Sequence, residues 1–268
     1  MDVLSSSIYG IVQGITEFLP VSSSGHLALL PHFMNINDPG VAFDLTMHVG
    51  TALAVLIYFW RDVCKLLTQY WECRFFSKEV FHKNAYCINY LFSTIITVVL
   101  AFAIKDFAAT VGRSILFISS NLIFFGILMF IADKWGRHGA NGQMDNSIKV
   151  KESLLIGLFQ GFAVFPGVSR SGSTLTISRF LGISREEASR YSFLLSLPII
   201  LGGFILKLPE LSSNQSVDLQ TCLVGGVVSL LVGLLTIHLF LKIIKKLGLW
   251  IFSIYRIIFA LYIFSVLS

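Results

Sequence analysis

The sequence predicts an all-α integral membrane protein with six transmembrane helices and two re-entrant helical hairpins, arranged as an inverted-topology repeat. The composition, the lengths of the apolar stretches and an internal duplication support this fold class. Of the 268 residues, 55% are hydrophobic and 13% are charged, and the mean hydropathy is +0.78. A soluble domain carries about 25% charged residues, so this chain cannot cover a surface that faces water.

The same composition excludes several functional classes. The formal net charge is +5, but the basic residues lie in short loops between apolar stretches and not on one face, so nucleic acid is not an expected partner. The four cysteines form no CxxC pair and offer no disulfide or zinc framework. We therefore expect the lipid bilayer to cover most of the surface.

Eight apolar stretches divide into two kinds. A hydrocarbon core of about 30 Å requires roughly 20 helical residues. Two stretches, residues 4–31 and 153–182, are interrupted by Pro, Gly and Ser, and such irregular backbone needs a surrounding of protein or water, so we expect two re-entrant hairpins. The six stretches expected to span are residues 42–60, 86–104, 115–132, 191–208, 219–241 and 249–267.

The two hairpin segments are copies of each other. A shift of 147 residues aligns residues 10–25 with residues 157–172, and eight of these 16 positions are identical. Each hairpin precedes three expected spans, which predicts a single membrane domain, residues 1–268, made of a first repeat (1–135) and a second repeat (148–268). Because three crossings reverse sides, the second repeat is expected to be inverted, with the hairpins entering from opposite faces.

The basic residues of the loops predict the orientation of the chain. Lys and Arg concentrate in cytoplasmic loops. With the hairpins counted as re-entrant, 14 basic residues fall on one side and three, Lys105, Arg113 and Lys207, on the other. Both termini are therefore expected outside, with the first hairpin entering from the outside.

The first hairpin carries polar residues on both sides of its break. Gln13 and Glu17 are four residues apart and share a helix face. A carboxylate at membrane depth usually faces a cavity and marks a functional site. After the break, the residues Ser22–Ser24 begin a second half-helix. Ser23 and His26 are one helical turn apart and are candidates for a nucleophile and a proton carrier.

The second hairpin repeats the serine run with an arginine inside it. Ser169, Arg170, Ser171 and Thr174 follow its break. Two converging helix N-termini with hydroxyls and one guanidinium form an anion site that suits phosphate. For Arg170 the alternative is pairing with Glu17 or with backbone carbonyls. For Ser22, Ser24 and Ser171 helix capping is favoured.

Other polar residues lie in the expected spans. Asp44 and His48, four residues apart, either support the first hairpin or lie at the membrane interface. Arg256 is expected to pair with the backbone or with a carboxylate, and a substrate role is the alternative. The glycines at 225–226 and 233 allow close helix contact, either within one chain or in a homodimer.

At the hairpin residues the sequence resembles the undecaprenyl-diphosphate phosphatase family, the membrane enzymes linked to bacitracin resistance. The resemblance covers the whole chain. The first family motif, Glu or Gln, three residues, then Glu, is matched by Gln13 and Glu17. The second motif, P-G-x-S-R-S-x-x-T, is matched completely by residues 166–174.

The resemblance implies that the terminal phosphate of undecaprenyl diphosphate is removed at the outer face of the bacterial cytoplasmic membrane. This reaction recycles the lipid carrier of peptidoglycan synthesis. The resemblance also implies dependence on Mg²⁺ or Ca²⁺. By this resemblance, the functional positions of the family correspond to Glu17, Ser23, His26, Ser169, Arg170 and Thr174.

Together with the anion site, these positions predict three groups of residues. Gln13 departs from family members that have Glu there, and because an amide is a weaker metal ligand than a carboxylate, a metal site with two carboxylates is in doubt. The expected metal ligands are Glu17 and Gln13. The expected catalytic residues are Glu17, Ser23, His26 and Arg170. The expected substrate-binding residues are Ser22, Ser24, Ser169, Arg170, Ser171 and Thr174.

Two questions stay open at this point. Either Ser23 attacks the terminal phosphorus, or His26 attacks it and forms a phosphohistidine. The alternative class is a polyprenyl phosphate transporter or flippase, because inverted repeats with broken helices are typical of secondary transporters. A nucleophile and proton carriers beside the anion site favour hydrolysis.

Overall fold

The computed structural model describes residues 2–36, 38–73, 85–112, 114–136, 148–213 and 219–267, and the regular secondary structure in these ranges is helical. Among the basic residues used for orientation, Arg74, Lys78, Lys83, Arg113 and Arg137 lie outside the described residues. The helices, in chain order, are α1 (Val3–Thr16), α2 (Ser23–Met34), α3 (Val41–Tyr58), α4 (Trp60–Cys73), α5 (Ala85–Val111), α6 (Ile115–Trp135), α7 (Val150–Gly161), α8 (Arg170–Phe180), α9 (Arg185–Ser213), α10 (Leu219–Leu247) and α11 (Trp250–Leu267).

Both predicted hairpins are pairs of short helices with a break between them. The first arms, α1 and α7, have 14 and 12 residues. At 1.5 Å per residue they reach about 18–21 Å, which is shorter than a hydrocarbon core of about 30 Å. The first break runs from the end of α1 to Ser23, and the second runs through a 3₁₀ turn, Phe162–Val164, to Arg170.

Five of the six expected spans fall on one helix each. The expected span at residues 42–60 covers α3, the bend at Phe59 and the first residue of α4. Within the described residues, four helices are long and apolar enough to cross a membrane, namely α5, α6, α10 and the Arg185–Leu206 part of α9. Helices α3 and α4 form a fifth if they count as one span, although the chain bends by 82° between them. Helix α11 is apolar and has 18 residues. The chain is therefore an all-helical, multi-pass membrane protein.

The first arm of each hairpin packs along a helix of the other repeat, α1 along α10 and α7 along α5. Glycine is required at these contacts: a Cβ at Gly10 would lie 2.5 Å from the carbonyl oxygen of Gly225, and one at Gly157 would collide with the backbone of Ser93. Gly233 likewise lies against Phe18. The small-residue stripe of α10 thus serves contacts within the chain.

An aromatic cluster fixes the break of the first hairpin against α9 and α10. Phe18 is buried and meets Phe193 edge to face, with 5.2 Å between the ring centroids. Phe193 in turn packs on Phe59 and Phe240. Because Phe18 directly follows Glu17, this packing holds the carboxylate of Glu17 at a defined depth in the protein.

Candidate active site

The second arms of both hairpins begin with a serine in the same unusual conformation. Ser22 has φ 75° and Ser169 has φ 71°, values that only glycine adopts without strain. Their hydroxyl oxygens accept hydrogen bonds from the N–H groups of Gly25 and Gly172, at 3.4 and 3.1 Å. The remaining N–H groups of each first turn have no acceptor within the helix and are free for an anion.

Arg256 ties the two breaks together. Its side chain is fully buried, and its guanidinium donates to backbone carbonyls of both hairpins and of α6. This is the backbone pairing that the sequence predicted for it. The acceptors are Pro20 at 3.3 Å, Gly167 at 2.7 Å, Val168 at 3.1 Å, Leu122 at 3.2 Å and Asn121 at 3.4 Å.

A cavity of about 350 Å³ opens between the two breaks and helices α3, α5 and α9. It has a polar and an apolar part. The polar lining comes from Glu17, Ser23, Ser24, Asp44, His48, Thr97, Gln160, Ser169 and Arg170. The apolar lining comes from Leu45, Ala101, Ala163, Val164, Ile199, Ile200 and Gly203.

Glu17 is the centre of the polar part. Its Oε2 accepts hydrogen bonds from Gln13 Nε2 at 2.9 Å and from Ser23 Oγ at 2.7 Å. His48 Nε2 lies 3.7 Å from the same oxygen. Oε1 pairs with the guanidinium of Arg170. A buried carboxylate therefore meets the hydroxyl of one hairpin and the cation of the other.

Arg170 has the protein partners that the sequence predicted as the alternative to anion binding, and it also faces the cavity. It pairs with Glu17 and donates to the carbonyl oxygen of Ser196 at 3.2 Å. It also lines the cavity, so its charge is available to an anion there. In the repeat alignment Arg170 corresponds to Ser23. Two of the side chains that contact Glu17, those of Ser23 and Arg170, thus come from equivalent positions of the two hairpins.

His26 lies outside the lining of this cavity. Its Nδ1 is 2.8 Å from the carbonyl oxygen of Ser22, which can only accept, so Nδ1 carries the proton. Its Nε2 then accepts from the Tyr255 hydroxyl at 2.7 Å. The ring also stacks on Phe259 at 4.1 Å. The structure therefore does not bring His26 together with Glu17 and Arg170.

Other predicted residues support the cavity without lining it. Ser22 caps α2, and Gln13 is buried beneath Glu17. Ser171 Oγ donates to the carbonyl oxygen of Leu19 at 3.2 Å, which joins the second hairpin to the first. Thr174 is buried, with its hydroxyl 2.6 Å from Ser192 Oγ on α9.

Three residues that line the cavity were not predicted from the sequence as site residues. Asp44 and His48 were considered as support or interface residues, yet both line the cavity. The carbonyl oxygen of Asp44 accepts from His48 Nδ1 at 2.8 Å, which turns Nε2 towards Glu17. Gln160 was not singled out, although it aligns with Gln13 in the duplication. That identity was the signal that would have found it.

Comparison with known proteins decides the family. The family model described as "Bacitracin resistance protein BacA" matches residues 6–262. The chain belongs to this family. An "Undecaprenyl-diphosphatase" of Marinobacter nauticus is 41% identical over 100% of both chains. A protein of the same name from Idiomarina loihiensis is 38% identical over 98% of both chains. Another from Methanosphaera stadtmanae is 35% identical over 95% of this chain and 94% of the relative.

This member of the BacA family offers few ligands for a divalent cation. Among the described residues, no three His, Cys, Asp or Glu side chains converge as a metal site. Glu17 provides one carboxylate, and Gln13 Oε1 is buried without a hydrogen-bond partner in that part of the chain. These hard oxygen donors fit a cation that is also held by phosphate oxygens of a substrate, as Mg²⁺ commonly is.

We expect Arg256→Gln to destabilise the protein strongly. Each buried carbonyl that loses its donor costs about 1–3 kcal/mol, and glutamine cannot replace a guanidinium that reaches both breaks. Thermal unfolding in detergent measures the effect as a lower Tm. Arg61→Gln is the control, because Arg61 is exposed on α4 and lies over the ring of Trp60. Equal Tm values for the two variants would contradict this role of Arg256.

Proposed function

We propose that this BacA-family protein is an undecaprenyl-diphosphate phosphatase that releases the terminal phosphate and leaves undecaprenyl phosphate in the membrane. The observation that carries the proposal is the meeting of Glu17, Ser23 and Arg170 in one cavity. Relatives that carry the name undecaprenyl-diphosphatase match this chain over its full length. The product is the lipid carrier of peptidoglycan synthesis, and its renewal accounts for resistance to bacitracin.

Ser23 is the nucleophile that the geometry favours. Its hydroxyl already donates to Glu17 Oε2 at 2.7 Å, within the range required of a general base. In the proposed step Ser23 Oγ forms a bond to the terminal phosphorus, its proton passes to Glu17, and the bond to the bridging oxygen of undecaprenyl phosphate breaks. Water then hydrolyses the phosphoserine and releases inorganic phosphate. His26 is less favoured, because Tyr255 and Phe259 hold it outside the cavity.

In this proposal the diphosphate binds to an anion cradle formed by Arg170 and the N-termini of α2 and α8. The Arg170 guanidinium gives up part of its contact with Glu17 and binds the phosphates. The N–H groups at the N-termini of α2 and α8 donate hydrogen bonds to the phosphate oxygens. Ser24 and Ser169 line the same cavity. A divalent cation, Mg²⁺ or Ca²⁺, bound by Glu17 and Gln13 together with the phosphates, would neutralise charge that develops on the phosphate oxygens.

The membrane topology forms part of the proposal. Six spans and two re-entrant hairpins, related by inversion, are supported by the matching serine caps and by the reciprocal packing of α1 on α10 and α7 on α5. The distribution of basic residues supports external termini and a site that opens to the outer face. A transporter would need the anion cradle but not a serine hydrogen-bonded to a carboxylate, so we prefer hydrolysis.

The apolar part of the cavity suits the isoprenoid chain of the substrate. Leu45 on α3 and Ile199, Ile200 and Gly203 on α9 lie on the wall of the same cavity as the polar groups. The lipid tail would leave between these two helices towards the bilayer. A Cβ at Gly203 would meet no atom within 4 Å, so a larger side chain at this position has room to project into the exit.

We expect Glu17→Gln and Ser23→Ala to abolish most phosphate release from undecaprenyl diphosphate. Removing a general base lowers kcat by about 10²–10⁴-fold, and removing the nucleophile lowers it at least as much. The measurement is inorganic phosphate released by purified protein in detergent, with Mg²⁺, with Ca²⁺ and with chelator. Release by the wild type should require the cation.

Ser24→Ala is the matched control, because it removes a neighbouring hydroxyl of the same cavity. Loss of one neutral hydrogen bond lowers the rate by about tenfold at most. Absence of release by folded wild type under every cation would overturn the phosphatase proposal. A trapped phosphate mapped to His26 by mass spectrometry would overturn Ser23 as the nucleophile.

We expect Gly203→Leu to separate long from short substrates. The new side chain would narrow the exit between α3 and α9, so kcat/KM should fall by about tenfold for undecaprenyl diphosphate and stay near the wild-type value for farnesyl diphosphate. Gly202→Leu is the control, because a Cβ there also meets no atom within 4 Å, yet Gly202 lies outside the cavity lining. An equal loss for both substrates would contradict this path for the tail.

A further inference from the structure

A second polar cavity lies at the other end of α3 from His48, about 15 Å along the helix at 1.5 Å per residue. The chain bends by 82° between Tyr58 and Trp60, so α4 runs in a different direction from α3. The exposed apolar side chains of α4 include Trp60, Leu67 and Trp71. An amphipathic helix with exposed tryptophans is typical of a segment that lies in the membrane interface.

The cavity is about 470 Å³ in volume and lies inside this bend. Its floor includes Phe59, and α9 and α10 provide its walls. Three cationic side chains line it: Arg190 from α9, and Lys242 and Lys245 from α10. His238 of α10 also lines it and is hydrogen-bonded to the Tyr58 hydroxyl at 3.2 Å.

Two carboxylates share the cavity, and both are already paired. Arg190 donates to Asp62 at 3.1 Å, and Lys245 lies 2.7 Å from Glu186. Both pairs are partly exposed to solvent, and exposed ion pairs add little stability, so their cations can be shared with a ligand at small cost. Lys242 has no ion-pair partner among the described residues, which leaves the cavity with one cation more than carboxylates.

We propose that this cavity binds the phosphate group of an anionic phospholipid. A basic pocket between helices, beside an interfacial helix, is the arrangement that recognises an acidic head group. The exposed tryptophans of α4 place the cavity at the depth of the head groups. The acyl chains would then lie along the outer apolar surface of α10, where Leu239 and Ile243 are exposed. This site is separate from the candidate active site and does not depend on the proposed reaction.

Lipid retention by the purified full-length protein tests the proposal. The protein is reconstituted with equal amounts of phosphatidylglycerol and phosphatidylcholine, extracted in mild detergent, and its bound lipids are counted by native mass spectrometry. We expect phosphatidylglycerol to be retained preferentially. Lys242→Gln should lower this preference by about fivefold, which is the contribution of one lysine near a lipid surface. Lys242→Glu should remove it.

Lys105→Gln is the matched control, because Lys105 lies over the ring of Phe102 on α5, away from this cavity. Phosphate release by all three variants should equal that of the wild type, which shows that they are folded. Equal retention of the two lipids, or the same loss in Lys105→Gln, would overturn the proposal. Retention of a polyprenyl phosphate in place of phosphatidylglycerol, abolished by Lys242→Glu, would overturn the phospholipid as the occupant.

Discussion

The buried ion pair between Glu17 and Arg170 is the interaction on which the rest of the site depends. Each charge stands at the break of one hairpin, at a depth where an isolated charge is expensive. Each therefore stabilises the other only if both breaks meet. A buried pair gains little over an apolar contact of the same shape, but loss of one partner is costly. The pair thus fixes the two hairpins relative to each other more than it raises the overall stability. It also places a cation and a carboxylate side by side in the cavity, where a phosphate can bind.

The remainder of the structure holds the two breaks in contact. Arg256 of α11 donates hydrogen bonds to backbone carbonyls of both hairpins. Ser171 reaches the backbone at Leu19, and Phe18 is packed on Phe193. The glycines of α1 and α7 allow close approach to helices of the opposite repeat. The duplication therefore supplies two similar half-sites. They differ at one pair of equivalent positions, which hold Ser23 in the first hairpin and Arg170 in the second, so the site combines a hydroxyl with a cation.

The sequence predicted the helical class, the positions of both breaks, the cap at Ser22 and the shared helix face of Gln13 and Glu17, because these follow from local residue types and helical spacing. Capping was expected at Ser24 and Ser171 as well, whereas the second cap is Ser169. It could not predict the direction of His26, since the partner that turns it away, Tyr255, is 229 residues distant along the chain. The nearness of His48 to Glu17 depends likewise on how α3 packs on the first hairpin. The bend before α4 was missed, because nothing in the local sequence requires Phe59 to break an apolar helix.

A double-mutant cycle of Glu17→Gln and Arg170→Gln tests this account most directly. The quantity measured is the free energy of unfolding in mixed micelles for the wild type, both single variants and the double variant. We predict that each single variant loses about 3–5 kcal/mol and that the double variant loses much less than the sum, with a coupling of at least about 1 kcal/mol. Additive losses would show that the two residues do not act as a pair, and would contradict a site built on the meeting of the hairpins.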